Sequence, residues 1–216
     1  MVENWIDYFD AIFCLNLAKR TDRQDVMLEQ FERYALPVKF WESYEHEKGY
    51  FGLVVTMKHL FEYCLDQNYN RVLIFEDDAK IIPTPDEFHR NMEDSIEGLK
   101  QVNWDLFYLG LQHAKKFTKW VTPHLLPVCC GYSTHATAYS KHAMEFVTSK
   151  HIDEPIDNWL VREFQIYNTS YCTYPLLVTQ FDGYSDIGND HCNWNHYITT
   201  SYHKHLKDIL QFRNNA

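Results

Sequence analysis

The sequence predicts an α/β fold in which helices cover both faces of an open, mainly parallel sheet. Three observations predict it. Short continuous apolar runs of strand length stand at residues 11–17 (AIFCLNL) and 72–75 (VLIF). Around them lie stretches whose apolar residues recur at helical spacing. The composition, 45% hydrophobic and 16% aromatic with seven glycines and seven prolines, supplies a large core and excludes a fibrous or disordered chain. At 216 residues, with no internal repeat and no linker, a single domain over 1–216 is expected.

The elements follow in order. After the strand at 11–17 comes a polar bend, AKRTDR, and a helix in which Val26, Leu28, Phe31 and Tyr34 are the apolar members. Leu36 and Pro37 end it before a strand at 38–44. Leu53, Met57, Leu60, Phe61 and Cys64 mark a second helix, broken at 68–70 by Asn68 and Asn70. The run at 72–75 reads as a central strand buried on both faces. Phe88, Met92, Ile96 and Leu99 form a third helix entered through Pro83, Thr84, Pro85 and Asp86, and a strand is expected at 106–111. Lys115, Lys116 and Lys119, interleaved with Phe117 and Trp120, suggest a surface loop or lid. Residues 131–140 read as extended chain running into a helix capped by Ser140, with Ala143, Met144, Phe146 and Val147 on its buried face. A short helix after Pro155, a strand at 171–178 and a C-terminal helix carrying Tyr202, Leu206, Ile209 and Leu210 complete the pattern.

Charge and cysteine usage narrow the chemistry. A formal net charge of −10 excludes a protein that tracks nucleic-acid phosphates with Lys and Arg, so an anionic ligand needs a local device such as a metal ion. Residues 1–10 mix acids with aromatics and lack a basic region followed by an apolar one, which predicts no signal peptide. No apolar run approaches the ~20 residues a bilayer requires. A cytoplasmic protein is the expectation. Cys14, Cys64, Cys129, Cys130, Cys172 and Cys192 include no CxxC pair, so reduced, buried thiols are expected, and the spacing of Cys192 and its neighbouring histidines matches no zinc pattern.

Ligands of open α/β sheets sit beyond the carboxyl ends of strands, and Glu76, Asp77 and Asp78 follow directly on the buried run at 72–75. Carboxylates this close raise one another's pKa, and a divalent cation removes the conflict. Mn²⁺ or Mg²⁺ held there would grip a diphosphate and stabilise it as a leaving group. In the first loop, Asn16 offers an amide to a base or ribose, and Arg20 and Arg23 offer donors to an anion or pair with Asp22 and Asp25 on the surface.

Five stretches carry a family resemblance. VLIFEDDA resembles the metal-binding acidic motif of glycosyltransferase family 25, which includes bacterial lipopolysaccharide galactosyltransferases and procollagen galactosyltransferases. FCLNLAKRTDR is similar to that family's opening strand and loop, and GYSTHATAYSKHAMEF to its later segment running into a helix. PIDNWL and YPLLVTQFDGYSDI resemble its Pro-Val-Asp and terminal Ser-Asp elements. These stretches keep the family's order and leave residues 85–130 and the last two dozen unmatched.

The resemblance implies a Rossmann-like fold of the GT-A type and the transfer of galactose or glucose, with inversion, from a UDP-sugar to a hydroxyl of a glycan or of hydroxylysine. It implies Asp78 as direct metal ligand, with Glu76 assisting, Asp77 reaching the ribose, and Asp186 or His191 as third ligand. Asn16, Arg20, Arg23 and His59 would bind the nucleotide sugar. Inverting transfer needs a carboxylate base. Asp157 is expected in that role, its alternative being a helix cap, and Asp186 is second. Lys58 stands where the family carries Ser before His59, and it faces either the diphosphate or solvent. Tyr132, Trp159, Tyr184 and Trp194 are available as sugar platforms, and none is assigned. Two other readings stand beside this one: a non-catalytic nucleotide-sugar-binding module and a metal-dependent phosphohydrolase, the latter needing carboxylates and histidines at several strand ends.

Overall fold

The computed structural model describes residues 4–113, 115, 119–167, 169–185 and 190–213. After a 3₁₀ turn at Trp5–Tyr8 the order is β1 (Ala11–Asn16), α1 (Thr21–Arg33), β2 (Val38–Glu42), α2 (Gly49–Asp66), β3 (Arg71–Glu76), β4 (Ala79–Ile81) and α3 (Pro85–Leu99). There follow β5 (Leu106–Tyr108), β6 (Gln112–His113), β7 (Leu125–Val128), β8 (Gly131–Tyr132), β9 (Ala136–Ser140), α4 (Lys141–Thr148) and α5 (Ile156–Trp159), which runs into a π-helical turn, Leu160–Phe164. The chain ends with β10 (Ser170–Thr173), β11 (Val178–Gln180), β12 (Gly183–Ser185), β13 (Asp190–Cys192) and α6 (Trp194–Arg213).

The central sheet has seven strands in the order β2-β1-β3-β9-β5-β10-β7. Five of them run one way, since β9 is antiparallel to both β3 and β5, and β7 is antiparallel to β10. The expected mainly parallel sheet is therefore present, with a reversed strand in its middle. Alternation along the strands divides the core by face. Phe13, Leu15, Val72 and Ile74 pack with α2, α4, α5 and α6, while Ile12, Cys14, Leu73 and Phe75 pack with α1 and α3. Helices thus cover both faces.

Local chemistry explains the helix ends. In α1 and α2 the chain leaves through a left-handed residue, Ala35 (φ 49°) and Asn68 (φ 58°). The amides of Leu36 and Tyr69 then bond back to the carbonyls of Phe31 and Cys64, as helix-terminating turns of this kind require. The Glu87 carboxylate accepts from the backbone N–H and hydroxyl of Thr84 before α3, and Ser140 Oγ accepts from Ala143 N to start α4.

Several expectations are corrected. Of the apolar residues read in α1, Phe31 is buried, as is Tyr34 just beyond it, but Val26 and Leu28 are exposed and Met27 between them turns inward. The strand expected at 106–111 stops at Tyr108, and that at 171–178 is two strands interrupted at Pro175, which has no amide to donate to a ladder. Cys14, Cys64, Cys130 and Cys172 are buried free thiols as expected, but Cys129 is exposed on the turn between β7 and β8. Lys115 and Lys119 are exposed, and Lys116 and Phe117 lie outside the described residues. Among the described residues no helix is long and apolar enough to cross a membrane.

Candidate active site

Beyond the carboxyl ends of β1 and β3 opens a cavity of about 780 Å³. The acidic triplet lines it, together with Arg23 from α1, Asp157 from α5, Tyr132, Ser133 and Thr134 from the chain entering β9, and Gln180 from the end of β11. β9 contributes because it is reversed: its incoming end lies beside the outgoing end of β3, where Phe75 pairs with Ala136 and Glu76 N donates to His135 O at 2.9 Å.

The three carboxylates have different partners. Asp77 is neutralised by protein, with Arg23 Nη1 2.6 Å from Oδ1 and Asn16 Nδ2 donating to Oδ2 at 3.0 Å. Asn16 also donates to Arg20 O at 3.2 Å, so it ties the first loop to the acidic turn. Asp78 accepts from Gln180 Nε2 at 3.1 and 3.2 Å, and Arg23 stands 4.0 Å away. Burial nevertheless raises Asp78 to about 6, against the pull of Arg23. Glu76 accepts from Thr134 Oγ1 at 2.7 Å, and burial, with Asp78 as the next cause, pushes it up to about 8. Glu76 and Asp78 are thus the two carboxylates left short of positive charge.

These two fit a hard cation that takes few protein ligands. No group of three His, Cys, Asp or Glu able to enclose a metal exists among the described residues. Mg²⁺-like ions are held by one or two carboxylates plus water and phosphate oxygens, which is the donor set Glu76 and Asp78 can begin.

Asp157 is not a helix cap. It lies in the first turn of α5 after Pro155, and its Oδ2 crosses to accept from Ser133 N at 3.1 Å while Oδ1 accepts from Asn158 N at 2.8 Å. Ser133 meets it in a left-handed conformation (φ 73°). Gln165 braces this turn, accepting from Gly131 N and donating to Gly131 O and Tyr108 Oη, each at 2.8 to 2.9 Å.

Of the residues expected from sequence, the structure gathers Glu76, Asp77, Asp78, Arg23, Asn16 and Asp157 at one sheet edge. Arg20 is instead paired with Asp22, 3.0 Å away, and holds that carboxyl at about 2. His59 is exposed on α2 and lines a separate hollow. Lys58 donates to Lys150 O at 2.6 Å, bridging α2 to the end of α4. His191 is exposed in β13 opposite Tyr184, and Asp186 lies outside the described residues. Tyr132 and Trp194 line the cavity, whereas Trp159 is buried in the core and the side chain of Tyr184 is outside the described set. Sequence reading missed Thr134, Gln180 and Tyr44. Thr134 and Gln180 fall within stretches already matched, but nothing in their identity marks them as partners of Glu76 and Asp78.

No family model matches the sequence. Two curated proteins are similar to it. A "Glycosyltransferase 25 family member" of Aedes aegypti is 22% identical over 184 residues, 69% of this chain and 30% of its own length. An "Inactive glycosyltransferase 25 family member 3" of Mus musculus is 24% identical over 204 residues, 77% of this chain and 34% of its own. The chain spans about a third of the length of these relatives. Their names bear out the resemblance read from the five stretches. Among solved structures, A197 from STIV overlaps at a TM-score of 0.48 with 10% identity, covering 84% of this chain and 91% of that one. A glycosyltransferase involved in glycosylating the major capsid of PBCV-1 overlaps at 0.46 with 13% identity, covering 87% and 97%. Scores this low decide neither family nor chemistry.

Proposed function

We propose that this chain, similar over most of its length to glycosyltransferase 25 family members, is a metal-dependent glycosyltransferase of the GT-A type. It moves galactose or glucose, with inversion, from a UDP-sugar to a hydroxyl of a glycan or of hydroxylysine. The observation that carries the reading is the pairing of a large cavity with two carboxylates, Glu76 and Asp78, raised to about 8 and about 6 beside an arginine already committed to Asp77.

Mn²⁺ or Mg²⁺ at Glu76 and Asp78 would supply charge to a leaving diphosphate. The chain's own residues do the rest. Asp77, fixed by Arg23 and Asn16, is placed to accept hydrogen bonds from the donor ribose. Asp157 takes the proton of the acceptor hydroxyl; that oxygen bonds the anomeric carbon as the bond to the diphosphate breaks, and UDP leaves with the electron pair. Two backbone N–H groups orient the Asp157 carboxylate for this step. Asp186 remains proposed as the alternative base or as a third ligand, whereas His191, exposed in β13, forms no metal-holding group with Glu76 and Asp78 among the described residues.

The test is calorimetric titration of UDP with and without Mn²⁺. Binding that requires Mn²⁺, and that Asp78→Ala weakens at least tenfold, supports the reading; equal affinity in the variant, or indifference to metal, overturns it. One observation favours a second reading, a nucleotide-sugar-binding module without turnover: a similar mouse protein is named inactive. Slow donor hydrolysis with Mn²⁺ separates the two, since only the enzyme shows it.

A further inference from the structure

Beside the cavity, between β2 and α2, lies a hollow of about 340 Å³ lined by Phe40, Trp41, Glu42, Tyr44, Thr56 and His59. Tyr44 lines both spaces. Its backbone is pinned to α2: Tyr44 N donates to Thr56 Oγ1 at 2.8 Å, and Thr56 Oγ1 donates in turn to Gly52 O at 2.8 Å. A Cβ at Gly52 would stand 2.5 Å from Tyr44 O, so a glycine is required for so close an approach. Yet Tyr44, its ring stacked on His46 at 6.4 Å, stays 52% exposed as a residue. The fold therefore fixes an uncovered aromatic ring at the join of two spaces, a placement that forgoes the free energy of burying it.

We infer that this hollow is an acceptor subsite, holding a pyranose ring of a glycan chain whose next ring enters the cavity across Tyr44. The inference rests on the glycosyltransferase reading above. A pyranose has a face of C–H groups that packs on an aromatic ring and a rim of hydroxyls that needs donors and acceptors. Trp41 and Tyr44 provide aromatic surface, and Glu42 and His59 supply polar atoms. The volume falls within the range of small-ligand sites. None of the lining residues is Lys or Arg, so the hollow lacks the groups that would hold the phosphates of a second nucleotide. His59, which the family resemblance places in donor binding, here serves the acceptor.

The experiment uses the full chain on a printed array of oligosaccharides, followed by titration of the best-bound glycan and, separately, of UDP with Mn²⁺. The expected result is capture of particular glycans of two or more sugars. Tyr44→Ala weakens that capture about tenfold, while Tyr44→Phe keeps it. Glu42→Gln, a surface change, weakens glycan binding and leaves UDP affinity within twofold. Absence of glycan binding, glycan binding indifferent to Tyr44→Ala, or capture of a hydroxylysine peptide in place of glycans overturns the inference. The glycosyltransferase reading fails separately, through UDP that does not bind, and Tyr44-dependent glycan capture would then still establish the hollow as a saccharide site.

Discussion

Arg23 reaches from α1 to the acidic turn so that its Nη1 lies 2.6 Å from Asp77 Oδ1, with both side chains largely shielded, 18% and 12% exposed. A neighbouring Asp78 oxygen is 4.0 Å from the same nitrogen. One guanidinium therefore balances Asp77 and only weakly offsets Asp78, and its removal leaves charge without compensation. Arg23→Ala is expected to destabilise by about 2 kcal/mol, more than an exposed ion pair does. Asp77→Asn in the same background recovers part of the loss. Urea denaturation of the four proteins of this cycle measures the coupling; a coupling near zero contradicts it.

Stability without metal should fall as pH rises. Glu76 and Asp78, raised by burial to about 8 and about 6, bind protons more tightly in the folded chain than unfolded carboxylates near pKa ~4 do. Their contribution is complete below pH ~4 and is lost as pH climbs through about 6 and then about 8. In EDTA the thermal midpoint declines between pH 5 and 8, and Glu76→Gln flattens the upper part of that decline. Mn²⁺ raises the midpoint more at pH 8 than at pH 5, because protons compete with it at lower pH. A rising midpoint in EDTA across this window would contradict the charge assignment.

Gly110 follows β5 where a Cβ would fall 1.7 Å from Val178 O and 2.9 Å from His135 Nε2. The obstacle is backbone of β11, which cannot swing aside as a flexible side chain can. Gly110→Ala is expected to cost at least ~3 kcal/mol, and UDP binding should weaken with it because Gln180 leaves the same strand. Equilibrium unfolding monitored by circular dichroism gives the first number.

Ser133 presents its N–H to Asp157 from a left-handed conformation. Ser133→Gly removes the steric penalty and is expected to stabilise by about 0.5–1 kcal/mol while preserving the hydrogen bond. Ser133→Pro deletes the donor and forbids the conformation, so it should lower sugar transfer at least tenfold. Transfer rates of the two variants, measured with their thermal midpoints, distinguish orientation of Asp157 from loss of folding.

The parts legible in the sequence are those with local causes. β1 and β3 show as apolar runs because both of their faces are buried, and α3 shows through its spacing and its capping residues. The acidic triplet was legible for the same reason: it directly follows a run that could only be a central strand. What escaped is non-local. Residues 136–140 read as extended chain, but their insertion between β3 and β5 depends on pairing with residue 71 and its neighbours, far away in sequence. Gln180 could not be matched to Asp78, nor Thr134 to Glu76, before that pairing was known. In α1, Met27 lies between two apolar residues that both face solvent, so spacing alone found Phe31 and Tyr34 but picked its neighbours in place of Met27.

The reversed middle strand also sets an order on biosynthesis. A chain growing from its N-terminus releases β1, α1, β2, α2 and β3 first, complete with Glu76, Asp77 and Asp78 and with Arg23 to balance one of them. Thr134, Asp157 and Gln180 emerge only later, and β9 must thread in beside β3 before the first two can approach. The segment up to β3 thus carries an open strand edge and uncompensated carboxylates on the ribosome until β9 has been made.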